Sequence, residues 1–377
     1  VKKFNYIAIL KASLLLVPAY LLLQQFTGIH KVEKLKGGIK EEAVPVFTME
    51  NWFSEEFQNQ YEKYNNQNFG FRSTAVRLAN QLKYSCFGEF ANAEVREYGK
   101  NLITTEYLDS YLGGNRTTIS QIKERCGQLK NLAAYMEKQG KASLVIIAPD
   151  KTSYYQSEYN LPLESELDST NYKNWLYYLN KYEIPFLDFR KAFLSIKQSS
   201  SVPLFSNQGI HWSTYGAQFA LDSVSAYLNS YYGFNGPRMQ VDSLIFSKNY
   251  DAVEFDIESS LNLMFPLPRQ KLAYQANTFT TGKKPKLLMI SDSFFFQLYT
   301  SGFANKLFDD PLFYYYHIRA LKYSEIDYAE DPTASSLKEI LKETDVVCLM
   351  AVDINLKDFP WAFGKRFEVE VLGDSIP

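Results

Sequence analysis

Ser293 closes the run KLLMISDS (286–293), an apolar stretch of the kind that forms a strand and ends in a turn. A serine at such a strand-to-helix turn projects its hydroxyl from the sheet edge. Its backbone N–H, at the start of the helix, then faces the place where an oxyanion develops. The hydroxyl is inert until a base takes its proton. The chain has three histidines, His30, His211 and His317. His317 lies in FYYYHI, which reads as a strand, and a structural role suits it there. His211, in GIHWSTYGA (209–217), lies in a loop entering a helix and is the candidate base. Ser293 equally suits a helix N-cap, so the pair and not the serine carries the chemical reading.

Elements that position these residues follow from pattern. Ligands in open α/β sheets bind beyond the carboxyl ends of the strands. SLVIIAPD (143–150) and DVVCLMAVD (345–353) are continuous apolar runs, as strands buried on both faces are. They end at Asp150-Lys151 and at Asp353, so both carboxylates share the expected sheet edge with Ser293. IPFLDF (184–189) and LFYYYHI (312–318) read as further strands. Helical spacing runs over 117–139, 170–183, 213–232 and 335–343. Strands alternating with helices predict a three-layer α/β domain, a parallel sheet with helices on both faces, over residues 51–377. Residues 241–284 break the alternation and read as an insertion, acidic at first (Asp251, Glu254, Asp256, Glu258), with a solvated loop as the plain reading.

The chain opens VKKFNYIAILKASLLLVPAYLLLQQF, which reads as an uncleaved signal anchor over residues 1–27 that crosses the inner membrane through residues 4–26. Lys2 and Lys3 set its N-terminus in the cytoplasm and the remainder outside. Residues 28–50 read as a stalk, and 52–88 as two helices joined by a turn at 65–70.

Composition narrows the classes. The 377 residues carry 40 basic and 42 acidic side chains, a net charge of −2, so no basic field exists to hold nucleic acid. Cys86, Cys126 and Cys348 form neither a zinc pattern nor a disulfide framework, and three histidines leave no multi-histidine metal site. No metal or cofactor is expected. Aromatic residues reach 16%, with Tyr154, Tyr155, Trp212, Tyr215, 294–296 and 314–316 near the motifs. They read either as a stacking platform for sugar rings or as core. Trp212 and Tyr155, with Lys151, are the candidate substrate contacts.

The pairing of His211-Trp212 and a following Gly-Ala helix with a later Asp292-Ser293-Phe294 resembles the SGNH-like O-acetyltransferases of the AlgJ and AlgX type. NFGFR (68–72), YGKNLITTEYLDSY (98–111) and IIAPDK (146–151) resemble that family's upstream segments, in the same order, so the resemblance covers about residues 50–360. It implies a membrane-anchored extracytoplasmic enzyme that acetylates a cell-surface polysaccharide beside a membrane-bound O-acyltransferase. Ser293 would be the nucleophile and His211 the base. The family pattern Asp-x-His-Trp has Gly209 at its acidic position here, and the other SGNH spacing would need an acid at Gln208. Asp353 and Asp150 are the candidate replacements, with Asp292 a third carboxylate at the same edge. Asn207 is a candidate oxyanion partner. Alternatives are a carbohydrate acetylesterase with the same dyad, or a non-catalytic polysaccharide-binding scaffold, which the absence of the local acid favours.

Overall fold

The computed structural model describes residues 6–37, 42–323 and 325–373. The chain forms two compact units. One comprises Val1–Ala93 with Glu258–Leu267, and the other Glu94–Ile257 with Pro268–Pro377.

The first unit is helical in its long N-terminal part, with helices Tyr6–Thr27, Met49–Phe53, Glu56–Asn68 and Arg72–Phe87. The chain breaks between the last two at Phe69–Phe71, close to the expected turn, with Phe71 at φ 57°. No helix among the described residues is long and apolar enough to cross a membrane. This corrects the expected spanning segment over residues 4–26, the start of which lies outside the described residues. Tyr6–Thr27 does form a helix, but it carries Lys11, Pro18, Gln24 and Gln25. Its C-terminal part is spent on protein partners. Gln24 accepts from the Phe71 amide at 3.0 Å, Gln25 donates to Asn65 at 2.9 Å, and Tyr20 stacks on Phe71 at 5.3 Å.

The second unit begins with a hairpin, β1 (Val95–Tyr98) and β2 (Asn101–Thr104). Then come β3 (Ala142–Ala148), β4 (Phe186–Asp188), a ribbon of β5 (Met239–Ser247) and β6 (Leu272–Phe279), β7 (Lys286–Ser291), β8 (Asp309–Tyr315), β9 (Arg319–Lys322), β10 (Glu325–Glu330) and β11 (Val346–Val352). The main sheet has seven strands in the order β10-β9-β8-β7-β11-β3-β4. From β8 to β4 all neighbours are parallel, while β9 and β10 add an antiparallel edge. The expected alternation is therefore present in the centre, and a hairpin extends one side. His317 leaves the strand that was expected to hold it. With Tyr316 it forms a tight turn after β8, at φ 57° and 49°.

β3 and β11 are buried at all seven positions. Leu144, Ile146, Cys348 and Met350 face helices Phe189–Ser199 and Thr214–Tyr232, through Phe193, Ala217, Leu221 and Val224. Val145, Ile147, Val347 and Leu349 face helices Ile119–Glu137 and Asn171–Lys181, through Leu129, Leu132, Trp175 and Leu179. Period-two side chains split one apolar run between two cores, and each large buried side chain contributes roughly 1.5–3 kcal/mol. Helix Thr214–Tyr232 is fixed at both ends, by Ser213 accepting from the Gly216 amide and by Gly233 at φ 73°.

The region read as an insertion is the antiparallel β5–β6 ribbon. Between its strands, Ala252–Phe255 forms a 3-10 turn that runs into a short helix from Asp256. That turn brings an acid to the sheet edge.

Candidate active site

Three parallel strands, β7, β11 and β3, end side by side and carry Asp292-Ser293, Asp353 and Asp150. Ser293 starts a 3-10 turn, Ser293–Phe295, so its amide has no intrahelical acceptor. Asp292 caps that turn. One carboxylate oxygen accepts from the Phe294 amide at 3.1 Å, and the other from the Val352 amide at 2.8 Å and Asn355 Nδ2 at 2.9 Å. It thus ties the end of β7 to the end of β11. Burial raises its pKa, and these hydrogen bonds oppose the rise.

His211 Nε2 lies 2.9 Å from Ser293 Oγ, and His211 Nδ1 lies 2.6 Å from Asp256 Oδ2. The carboxylate accepts the Nδ1 proton, which leaves Nε2 to accept from the serine hydroxyl. Asp256 is held in turn: its other oxygen accepts from the Ile210 and Ile257 amides, both at 2.8 Å. Phe294 packs on the imidazole at 4.8 Å between ring centroids. The His211 side chain is 13% exposed and that of Asp256 31%, so the triad is reachable from solvent.

The acid on the histidine is neither of the two carboxylates expected at strand ends. Asp353 and Asp150 form a separate buried cluster. Asp353 pairs with Arg190 at 2.5 Å, and Arg190 also pairs with Glu164. Burial above all, together with the neighbouring Asp150 and against the pull of Arg190, holds the Asp353 pKa well above the usual carboxylate range. Asp150 caps the turn Lys151–Tyr154 through the Ser153 amide at 2.7 Å. Both carboxylates are therefore committed to structure at β3 and β11.

Gly209 has a steric reason. A Cβ there would lie 2.7 Å from the backbone C and O of Glu254. The segment that brings in Asp256 occupies the space a side chain at 209 would need. Glu254 anchors that segment: its carboxylate accepts from Thr214 N at 2.8 Å, Thr214 Oγ1 at 3.0 Å and the Tyr274 hydroxyl, and its carbonyl accepts from Ser206 Oγ. Ser206 Oγ accepts from the Gly209 amide at 2.8 Å. Absence of the local acid and presence of a remote one are thus one structural event.

The three expected substrate contacts are buried. Trp212 is 0% exposed, donates to the Phe294 carbonyl at 3.2 Å and holds the serine turn against the histidine loop. Tyr155 donates to the Phe205 carbonyl at 3.1 Å and packs edge-on to Tyr154. Lys151 is 0% exposed and donates to the carbonyls of Leu102, Asn207 and Gly209 at 2.7, 3.0 and 2.8 Å; burial pushes its pKa down to about 7, with Asp256 opposing. Asn207 accepts from the Tyr250 hydroxyl at 3.2 Å and is likewise buried. None of them is a sugar platform. A contact that the sequence reading named only among nearby aromatics is Tyr316. Its hydroxyl interacts with Ser293 and accepts from Asn355 Nδ2 at 3.2 Å, and burial, with Asp292 adding to it, pushes its pKa up to about 12. Among the described residues no group of three or more His, Cys, Asp or Glu side chains is placed to hold a metal ion.

Serine, histidine and aspartate in hydrogen-bonded line at the carboxyl end of an α/β sheet form an arrangement that can activate a serine hydroxyl for acyl transfer. Residues 107–243 match the family model described as SGNH hydrolase-like domain, acetyltransferase AlgX. Over these residues the match bears out the resemblance to AlgJ/AlgX-type O-acetyltransferases drawn from the motifs. The matched stretch includes His211, whereas Asp256 and Ser293 follow it. No curated protein matches the chain. Among solved structures the chain is similar to the O-acetyltransferase domain of Pseudomonas putida AlgJ, with TM-score 0.45, 13% identity, and 73% of this chain and 98% of that one covered. It is also similar to Bacillus cereus PatB1, with TM-score 0.44, 12% identity and coverages of 70% and 96%. A third is Pseudomonas aeruginosa AlgX, with TM-score 0.42, 13% identity and coverages of 71% and 66%.

Proposed function

We propose that the chain is an extracytoplasmic O-acetyltransferase that moves acetyl onto hydroxyls of a polysaccharide through Ser293, His211 and Asp256. The observation that carries this reading is the unbroken hydrogen-bond line Asp256–His211–Ser293. In the first half-reaction His211 Nε2 takes the Ser293 proton as Oγ bonds to the acetyl carbonyl carbon of an ester donor. The Ser293 amide and the Tyr316 hydroxyl, which lies against Ser293, are the donors this reading assigns to the oxygen that becomes negative. The imidazolium then gives its proton to the departing alkoxide, which leaves acetyl-Ser293. In the second half, His211 deprotonates the acceptor hydroxyl, which attacks the acetyl carbon, and the proton returns to Ser293.

The polysaccharide acceptor rests on the family match, and a membrane-bound O-acyltransferase is the donor partner that the reading implies. Hydrolysis to acetate is the same chemistry with water as acceptor. The aligned triad speaks against a non-catalytic scaffold. The test is turnover of an aryl acetate by the purified chain, with and without an acceptor oligosaccharide, beside Ser293→Ala. Acetylated oligosaccharide formed by the wild type alone is the expected result. Free acetate with no acetylated acceptor points to the esterase reading, and no turnover of any acetyl ester sinks both enzyme readings.

A further inference from the structure

We infer that Lys151 is the positioning residue of the histidine loop, a buried amino group whose three carbonyl contacts set where His211 stands; the inference deepens the proposed function and rests on that reading for its kinetic consequence. Lysine is among the residues least often fully buried, and an ammonium taken from water is costly unless its protons are all used. Here every proton has an acceptor: the carbonyls of Leu102, Asn207 and Gly209. These carbonyls come from two separate pieces of chain. Leu102 belongs to β2, and its amide also donates to the Asn207 carbonyl at 2.8 Å. Asn207 and Gly209 belong to the irregular loop between Phe205 and Trp212, which pair with one another as an isolated bridge. The loop has no regular ladder to hold it, and Lys151 supplies two bonds to it, at Asn207 and Gly209, while its third ties them to Leu102 of β2.

Position along the chain gives the clamp its meaning. Gly209 is two residues before His211. The Gly209 carbonyl is held by Lys151, the Gly209 amide by Ser206, the Ile210 amide by Asp256, and the His211 ring by Asp256 again. Asp256 and Lys151 both hold the loop, and Asp256 is also the charged group that acts on the Lys151 side chain. An apolar side chain would fill the same volume without desolvating a charge. What the amino group adds is convergence of three carbonyls, and with it one fixed backbone path for residues 207–211. Lys151 itself has no access to substrate, since it is 0% exposed. It acts through His211.

The experiment compares the full chain with Lys151→Met, which keeps length and removes all three donors, and Lys151→Gln, which retains two N–H donors. Three quantities are read: thermal midpoint, kcat and KM with an aryl acetate donor, and the low-field proton NMR signal of the His211–Asp256 bond. With only three histidines in the chain, His211→Gln assigns that signal. For Lys151→Met the expected result is a folded protein with kcat down about 10²-fold, the scale of an ångström of misplacement. KM should stay within about twofold by the same reasoning, because Lys151 touches no substrate, and the low-field signal should be lost. Lys151→Gln should fall between the two. Retention of both signal and kcat in Lys151→Met overturns the inference. So does a global loss of fold in both variants, since Lys151 would then be holding the core and not one loop. If the wild type turns over no acetyl ester, the catalytic reading fails while the NMR comparison still decides whether Lys151 positions His211.

Discussion

Asp256→Asn is the substitution that weighs the relocated acid. In the wild type Asp256 Oδ2 receives the His211 Nδ1 proton at 2.6 Å, while Oδ1 receives the Ile210 and Ile257 amides. In the amide variant, the single oxygen is retained by the two backbone donors, and the amide NH2 turns toward His211. Nδ1 must then become the acceptor, so the proton moves to Nε2, where it faces Ser293 and blocks proton abstraction. The same exchange in a serine protease triad costs about four orders of magnitude, a worked example for that system. Asp256 is 31% exposed, so water relieves part of the conflict, and a loss of about 10³-fold in kcat is expected, ~4 kcal/mol of transition-state stabilisation. Stability should change little, by under about 1 kcal/mol, because both backbone amides keep their acceptor. The assay is steady-state aryl acetate turnover with thermal melts of both proteins, with Asp353→Asn alongside. Asp353 lies in the Arg190 cluster and makes no bond to His211. Its loss is expected to show in the melt more than in the active-site proton path. If Asp256→Asn keeps kcat within about threefold of wild type, Asp256 is not the triad acid and the site reading fails.

Further outcomes follow from the same geometry. Gly209→Ala puts a Cβ 2.7 Å from the Glu254 backbone and should cost about 1–3 kcal/mol in a denaturant melt. For the same reason, adding Gly209→Asp to Asp256→Ala should not restore activity. Tyr316→Phe removes a hydroxyl beside Ser293 and should lower kcat about 10–10²-fold with the fold intact, and an unchanged kcat would remove Tyr316 from the mechanism. His317 is buried with neither ring nitrogen hydrogen-bonded among the described residues, and burial above all, with Arg366 adding to it, lowers its pKa to about 4. The unfolded state therefore binds the proton first, so stability falls as pH drops from about 6.5 towards 4. Melts of His317→Phe over that window should lose part of this slope, and an identical slope would contradict it.

The sequence patterns reached the parallel centre of the sheet because β3, β7 and β11 are apolar runs, a signal that survives without tertiary context. Ser293 and His211 stood out because each sits beside a residue type that marks an element boundary, and the structure sets them 2.9 Å apart. Asp256 was visible only as one of four acids in a stretch that broke the α/β rhythm. Its pairing with His211 depends on the β5–β6 ribbon folding back, 45 positions along the chain, and no local period encodes that. What did point to it was Gly209: a missing acid beside an intact His-Trp pair implies a carboxylate from elsewhere. Trp212, Tyr155 and Lys151 misled for a shared reason. Each lies at a strand end or loop motif next to the site, but adjacency in sequence does not say whether a side chain points to solvent or beneath the loop. The N-terminal segment misled through composition. Its apolar run fits a bilayer, yet no described helix has the length and apolarity to cross one, and its last turns are bonded to protein.

The central claim is that Ser293 becomes acetylated by a base that Asp256 orients. The direct measurement is acid quench of the wild type, Ser293→Ala, His211→Ala and Asp256→Asn after brief mixing with an acetyl ester, followed by peptide mapping by mass spectrometry. The expected result is an acetyl group on the peptide containing Ser293 in the wild type, none at that peptide in Ser293→Ala, and greatly slowed labelling in the other two. Turnover by the wild type without acetyl-Ser293, or labelling of Asp256→Asn at the wild-type rate, would contradict it.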